Sequence, residues 1–158
     1  MKLFINLSKQ ETETGFTLVE LLCVIGIIGI LASIAFAQLP GVINQARYAQ
    51  AQRDLDAYNT ELLSYYASRG EYPSDWEDLG YNTAPEDPWG YPYIYNNHDE
   101  ISSGDRRKDG ALVPINSHYD LFSPGPNGNW APNIGADISR DDVIVAEDGA
   151  FIGKAEDY

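Results

Sequence analysis

The strongest pattern along the chain is an apolar run from Phe16 to Ala37, 22 positions that carry one charge, at Glu20. A helix of that length, rising about 1.5 Å per residue, spans a hydrocarbon core of about 30 Å. No small-residue cleavage pattern follows closely, as it would behind a secretory signal peptide. The pattern therefore predicts a transmembrane helix that the mature chain keeps.

Beyond Pro40-Gly41, where we expect the helix to bend or loosen, the pattern becomes that of an amphipathic helix. Gly70 is placed to end this helix. Its apolar positions recur at spacings of four and three residues: Ala51, Leu55, Tyr58, Leu62 and Tyr65. One face of this second helical segment should therefore pack on a folded domain.

The remaining residues contain short apolar and β-branched segments separated by turn residues. Strands are predicted at 91–95, 111–115 and 118–123, with weaker candidates at 143–145 and 151–152. The charged cluster at 105–109 is interpreted as a solvated turn. We predict an α+β fold, in which a long N-terminal helix packs its second half on a small antiparallel β-sheet with long C-terminal loops. The predicted regions are 1–15, a leader; 16–40, the transmembrane half-helix; 41–69, the amphipathic half-helix; and 70–158, the sheet and loops.

The charge balance limits the partners of the folded part. The net charge is −14, and residues 71–158 carry 5 basic against 18 acidic side chains. Phosphate backbones bind to positive surfaces, so nucleic acid is not an expected partner. The acidic surface is compatible with solvation, with a cation site, or with both. The single cysteine, Cys23, lies in the apolar run, which leaves a metal as the usual alternative staple for a small exported domain.

Glu20 is expensive in a membrane unless something compensates its charge, and such residues are candidates for function. One interpretation is that the carboxylate meets a positive charge when several chains pack together. The alternative is an ordinary membrane anchor whose glutamate reaches the interface.

The run Gly15-Phe16-Thr17-Leu18-Val19-Glu20, followed by an apolar helix, resembles the processing signature of type IV pilin-like precursors. The resemblance implies that a prepilin peptidase cuts between Gly15 and Phe16 and methylates the new amine of Phe16. Glu20 would then meet the amine of its own or a neighbouring chain during assembly of a helical filament. The chain's leader carries no net side-chain charge, and Pro40 stands three positions beyond the family's usual proline.

The folded part carries further motifs that resemble those of the major pseudopilin of the type II secretion system. In chain order they are Tyr72-Pro73, Asp87-Pro88-Trp89-Gly90 with Tyr93, Asp120-Leu121-Phe122-Ser123-Pro124-Gly125-Pro126-Asn127-Gly128, and Asp141-Asp142-Val143. In that family a calcium ion holds the loop after the last sheet strand. The resemblance implies that the side chains of Asn127, Asp141 and Asp142 and the carbonyl of Pro124 are calcium ligands, with Asp137 as a possible substitute. The segment between Asn127 and Asp141 is longer than the family's, and the chain continues further at 143–158.

The resemblance implies a structural subunit rather than an enzyme. It would polymerise with its own copies into a periplasmic pseudopilus that drives protein secretion. Partners would be minor pseudopilins, the prepilin peptidase and an inner-membrane assembly platform. Its helix would cross the inner membrane once, with a cytoplasmic N-terminus. The alternatives are a type IV pilus pilin for adhesion, motility or DNA uptake, and a membrane-anchored periplasmic binding protein or enzyme.

Overall fold

The computed structural model describes residues 15–110 and 113–158, with the backbone alone for Ala37 and Gln38. The chain divides into two units, Met1–Gly41 and Val42–Tyr158. One helix, α1 (Leu18–Arg69), includes residues of both units and contains Pro40. The predicted leader, apart from Gly15, lies outside the described residues.

In the first unit, α1 presents apolar side chains to its surroundings. Large apolar residues from Phe16 to Phe36 are all exposed, with Phe16 at 80%. The stretch Leu18–Phe36 has 19 residues and a mean hydropathy of 2.6, and none of it is buried. Within the described part of the chain, this is the one helix long and apolar enough to cross a membrane.

The second unit contains a four-stranded antiparallel sheet in the order β1-β4-β5-β6. Its strands are β1 (Ile94–Asn97), β4 (Tyr119–Ser123), β5 (Val143–Ala146) and β6 (Phe151–Lys154). A separate two-stranded ladder joins β2 (Lys108–Asp109) to β3 (Val113–Pro114). The weaker strand candidates at 143–145 and 151–152 are confirmed, and the segment beyond residue 142 supplies two of the four sheet strands.

One face of the sheet packs on α1. The predicted helical stripe forms its core, since Ala51, Leu55 and Leu62 have no exposed surface. Because side chains alternate along a strand, Tyr119 and Leu121 of β4 point to this face. Trp76 and several tyrosines complete this core in edge-to-face contacts. The prediction that the second half of the helix packs on the sheet is confirmed.

The opposite face of the sheet is covered as well. Phe122 and Ile144, which alternate with the helix-facing residues, contact Ile115, Ile134 and Ala155 from the loops and the C-terminal segment. All residues of β4 and β5 are consequently buried. The long loops form a third layer on the sheet, and this layer contains the predicted metal ligands.

Two local expectations differ from the structure. The first strand begins at Ile94 rather than at 91, because Tyr91 belongs to a turn in which its carbonyl accepts the N–H of Asp87 at 2.7 Å. The charged cluster at 105–109 is not uniformly solvated: Arg107 has no exposed surface. Its guanidinium has partners in distant parts of the chain, which no local pattern reveals.

Candidate functional sites: the helix start and the C-terminal loop

The start of α1 is closed by a pair of reciprocal hydrogen bonds between Thr17 and Glu20. The Thr17 hydroxyl oxygen accepts the backbone N–H of Glu20 at 3.2 Å. In return, Oε2 of Glu20 accepts the backbone N–H and the hydroxyl of Thr17 at 3.0 and 2.8 Å. This capping box satisfies N–H groups that have no acceptor within the helix.

The capping role of Glu20 is a function that the sequence interpretation missed. Its signal was present, since a threonine followed three residues later by glutamate, just before an apolar run, is typical of a helix start. Phe16 lies directly before the cap, and its side chain is exposed. An amine created at Phe16 would begin one residue before Thr17, at the end of the helix where the macrodipole favours a carboxylate.

In the second unit, two of the motifs that carry the family resemblance are joined by one buried carboxylate. Oδ1 of Asp87 accepts the backbone N–H groups of Trp89 and Tyr91, both at 2.9 Å. Oδ2 accepts the hydroxyl of Ser123 at 2.5 Å, and the oxygen of that hydroxyl accepts the N–H of Gly125 at 3.0 Å. The D-P-W-G turn and the S-P-G-P-N-G loop are therefore one hydrogen-bonded structure.

Glycine is required at two positions of that loop. Gly125 has φ +66°, and a Cβ there would lie 2.2 Å from the carbonyl oxygen of Asp141. Gly128 also has φ +66°, and its Cβ would meet the ring of Tyr91 at 2.4 Å. The loop therefore packs closely on the start of β5 and on the D-P-W-G turn.

Two of the predicted calcium ligands, Asn127 and Asp141, contact each other. The backbone N–H of Asn127 donates to Oδ2 of Asp141 at 3.2 Å, and its side-chain amide donates to Oδ1. The same amide nitrogen donates to the carbonyl of Ile138 at 2.8 Å. The side-chain oxygen of Asn127 accepts the backbone N–H of Asn129 at 2.6 Å. The side-chain amide nitrogen of Asn127 thus lies between the carboxylate of Asp141 and the carbonyl of Ile138.

Asp142 lies in the protein interior, apart from this pair. Its Oδ2 accepts a hydrogen bond from the Arg107 guanidinium at 2.6 Å, and neither side chain has exposed surface. Burial raises the pKa of the Asp142 carboxyl to about 7, although Arg107 opposes the shift. Burial also lowers the pKa of Arg107, which still remains a cation at neutral pH. Removing one partner of such a pair is far more costly than the pair is stabilising.

The other two predicted ligands are Pro124 and Asp137. Pro124 is buried at the end of β4, and the exposed carboxylate of Asp137 lies 3.7 Å from Nε of Arg140. Each carboxylate of the predicted donor set thus faces a nitrogen donor of the chain. Calcium prefers six to eight converging oxygens. Among the described residues there is no group of three or more His, Cys, Asp or Glu placed for a metal, and the three carboxylates, each beside its own nitrogen donor, do not fit a calcium ion as they lie.

Known proteins match this chain both at the start of the helix and over most of its length. The family model described as "Prokaryotic N-terminal methylation motif" matches residues 12–36. The type II secretion system core protein G of Pseudomonas aeruginosa is 31% identical over 141 residues, which cover 76% of this chain and 88% of the relative. The protein of the same name from Vibrio cholerae is 30% identical over 154 residues, covering 85% of this chain and 95% of the relative. A fimbrial protein of Neisseria meningitidis is 26% identical over 148 residues, covering 90% and 85%. No solved structure matches.

The chain begins its apolar helix with a cap and carries the methylation motif there, and its second unit contains a small antiparallel sheet. These features together define a protein of the type IV pilin-like class. Within that class, the similarity extends through the folded unit. The chain belongs to the type II secretion system core protein G family, the major pseudopilins.

Proposed function

We propose that this protein is the subunit of a pseudopilus, a fibre that serves type II protein secretion. The observation that carries the proposal is the joining of an N-terminal methylation motif, at residues 12–36, to a folded unit similar to core protein G over most of its length. The role is structural and mechanical. The chain itself is a substrate for one peptidase, which cuts between Gly15 and Phe16 and methylates the new amine.

The exposed apolar surface of α1 supports assembly by helix packing. From Phe16 to Phe36 the helix has no partner among the described residues, and it suits either lipid or the same helix of other copies. In the fibre, the carboxylate of Glu20 pairs with the amine of Phe16 on its own or an adjacent chain. Leaving either charge buried without the other costs on the order of 3–5 kcal/mol, so the pair fixes the register between subunits.

The cellular location and the partners of the protein follow from the same proposed role. Before assembly the subunit lies in the inner membrane, with its N-terminus in the cytoplasm and the folded unit in the periplasm. Its partners are other copies of the chain, minor pseudopilins, the prepilin peptidase and an inner-membrane assembly platform.

A second candidate function is that of a surface type IV pilin, and the similarity to a fimbrial protein supports it. The two functions share the helix chemistry and differ in where the fibre forms. Loss of the gene would stop export of secreted enzymes in the first case. In the second it would remove surface fibres and leave secretion unchanged.

Substitutions at Glu20 and Thr17 separate the charge from the cap. Glu20→Gln keeps an oxygen that can accept both Thr17 bonds but removes the charge, whereas Thr17→Val removes the hydroxyl and keeps the charge. We expect Glu20→Gln to be processed normally and to abolish most fibre formation and secretion, with Thr17→Val milder. Glu71→Ala, at an exposed glutamate of the folded unit, is the control.

The measurements are electron microscopy of fibres, secretion of an exported enzyme, and mass spectrometry of the N-terminus. Gly15→Ala should leave the precursor uncleaved. Fibre yield at the wild-type level in Glu20→Gln would refute the charge pairing, and normal processing of Gly15→Ala would refute the cleavage site.

A further inference from the structure

The C-terminal loop, residues 124–142, encloses a cationic side chain that comes from another segment of the chain. The Arg107 guanidinium reaches it from the 99–110 segment and donates to the carbonyl of Ala131 at 2.6 Å and to the carboxylate of Asp142 at 2.6 Å. The hydroxyl of Ser139 lies 3.4 Å from the same nitrogen that binds Ala131. A carboxylate, a carbonyl and a hydroxyl are the kinds of oxygen that a hard metal ion would collect.

The position of Arg107 is fixed independently of its side chain. Its backbone N–H donates to Oδ2 of Asp120 on β4 at 2.7 Å, while Oδ1 of Asp120 lies 3.2 Å from Nε2 of His98. The next residue, Lys108, accepts the N–H of Ile134 at 3.0 Å and donates its own N–H to the carbonyl of Pro132 at 2.9 Å. The 107–108 segment is thus joined to the loop through backbone as well as side chain.

The guanidinium is enclosed by aromatic rings and has no exposed surface. Its central carbon lies 4.3 Å from the ring centre of Phe122 and 5.9 Å from that of Trp130. The C-terminal segment closes the site from another side, because the N–H of Ala155 donates to the carbonyl of Asp142 at 2.9 Å. In such a site an arginine, with donors in a rigid fork, holds oxygens in a defined geometry.

We propose that Arg107 is the organising cation of the C-terminal loop in this protein, in the role for which the family resemblance implies calcium. The amide of Asn127 completes the arrangement by joining Asp141 to Ile138. The loop then folds without a divalent cation. The inference concerns the folding of the second unit and does not depend on the proposed role in secretion.

The first test uses the full-length wild-type chain in mild detergent, with either millimolar calcium or excess EDTA. Thermal unfolding and hydrogen exchange of peptides from 126–140 should be the same in both solutions, with a Tm difference below about 1 °C. A Tm that rises by several degrees with calcium, or loop protection that EDTA removes, would overturn the proposal. This arm needs no variant to fold.

The second test uses Arg107→Gln and Arg107→Lys, with Arg140→Gln as a matched control. Arg140 is an exposed arginine of the same loop, paired only with the exposed Asp137 in the part of the chain described. We expect both changes at Arg107 to lower the Tm by about 10 °C or more and to remove exchange protection at 126–140. Lysine keeps the charge but lacks the fork, so it should not rescue the loop. Arg140→Gln should change neither measurement, and a protected loop in Arg107→Gln would refute the assignment.

Discussion

The buried carboxylate of Asp87 allows a quantitative test of how the second unit is held together. In Asp87→Ala, the hydroxyl of Ser123, which has no exposed surface, loses its acceptor, and this costs about 1–3 kcal/mol. The N–H groups of Trp89 and Tyr91 lose a charged acceptor in a partly exposed turn, at about 1 kcal/mol each. We therefore expect a loss of about 3–5 kcal/mol in the free energy of unfolding.

Asp87→Asn provides the graded comparison. It keeps one acceptor oxygen for the two turn N–H groups and places an amide beside Ser123, whose hydroxyl oxygen can accept a hydrogen bond from it. The expected loss is smaller, about 1–2 kcal/mol, because the geometry is kept and the charge is not.

The assay is chemical and thermal unfolding of the full-length chain in detergent, followed by near-UV circular dichroism. A loss of 3–5 kcal/mol corresponds to a fall in Tm of roughly 12–20 °C for a unit of this size. The control is Asp75→Ala, which removes an aspartate that accepts the N–H of Glu77 at 2.8 Å in an exposed turn and should cost only about 1 kcal/mol. Equal losses at Asp87 and Asp75 would refute the reasoning, because burial would then have no effect.

Two further predictions concern the loop and the aromatic core. Gly125→Ala should lower the Tm by several degrees. The alanine would clash with the backbone of Asp141, and its positive φ would cost about 1–2 kcal/mol more. An unchanged Tm in differential scanning calorimetry would contradict the close packing of the loop. Burial, with help from Glu61, raises the pKa of Tyr81 to about 12, and burial raises the pKa of Tyr93 as well. A raised pKa favours the neutral form in the folded state, so this stabilisation is complete below pH 10 and is lost as the pH rises from 10 through about 12. Tyrosinate absorbance should therefore show a late step that coincides with unfolding, and full ionisation with the near-UV dichroism intact would contradict it.

The parts of the fold that depend on local periodicity were predictable from the sequence. The stripe that includes Ala51, Leu55 and Leu62 repeats with the helical period, and it became the buried face of α1. The strand predicted at 118–123 is closely matched by β4, because its aromatic and apolar residues, Tyr119, Leu121 and Phe122, form a short run followed by the turn residues of the next loop. The capping box at the start of α1 has an equally local signal, because Thr17 is followed three residues later by Glu20 at the beginning of an apolar run.

The C-terminal loop was not predictable for a physical reason. Arg107 stands among charged neighbours at 105–109, where local composition indicates solvent. Its partners Ala131 and Asp142 are 24 and 35 residues away along the chain. Only the assembled third layer on the sheet brings them together. The carboxylates at 141 and 142 followed the family's pattern by position, but adjacent residues point to opposite sides, so one turned to Asn127 and the other to the interior.

The capping box at the start of α1 also bears on how a fibre grows and shrinks. Within a single chain, the carboxylate of Glu20 already accepts two hydrogen bonds from Thr17, although neither donor carries a charge. Under the proposed pairing with the Phe16 amine, a charged partner would add to or replace these bonds, so that only the difference between the two arrangements would contribute to the free energy of assembly.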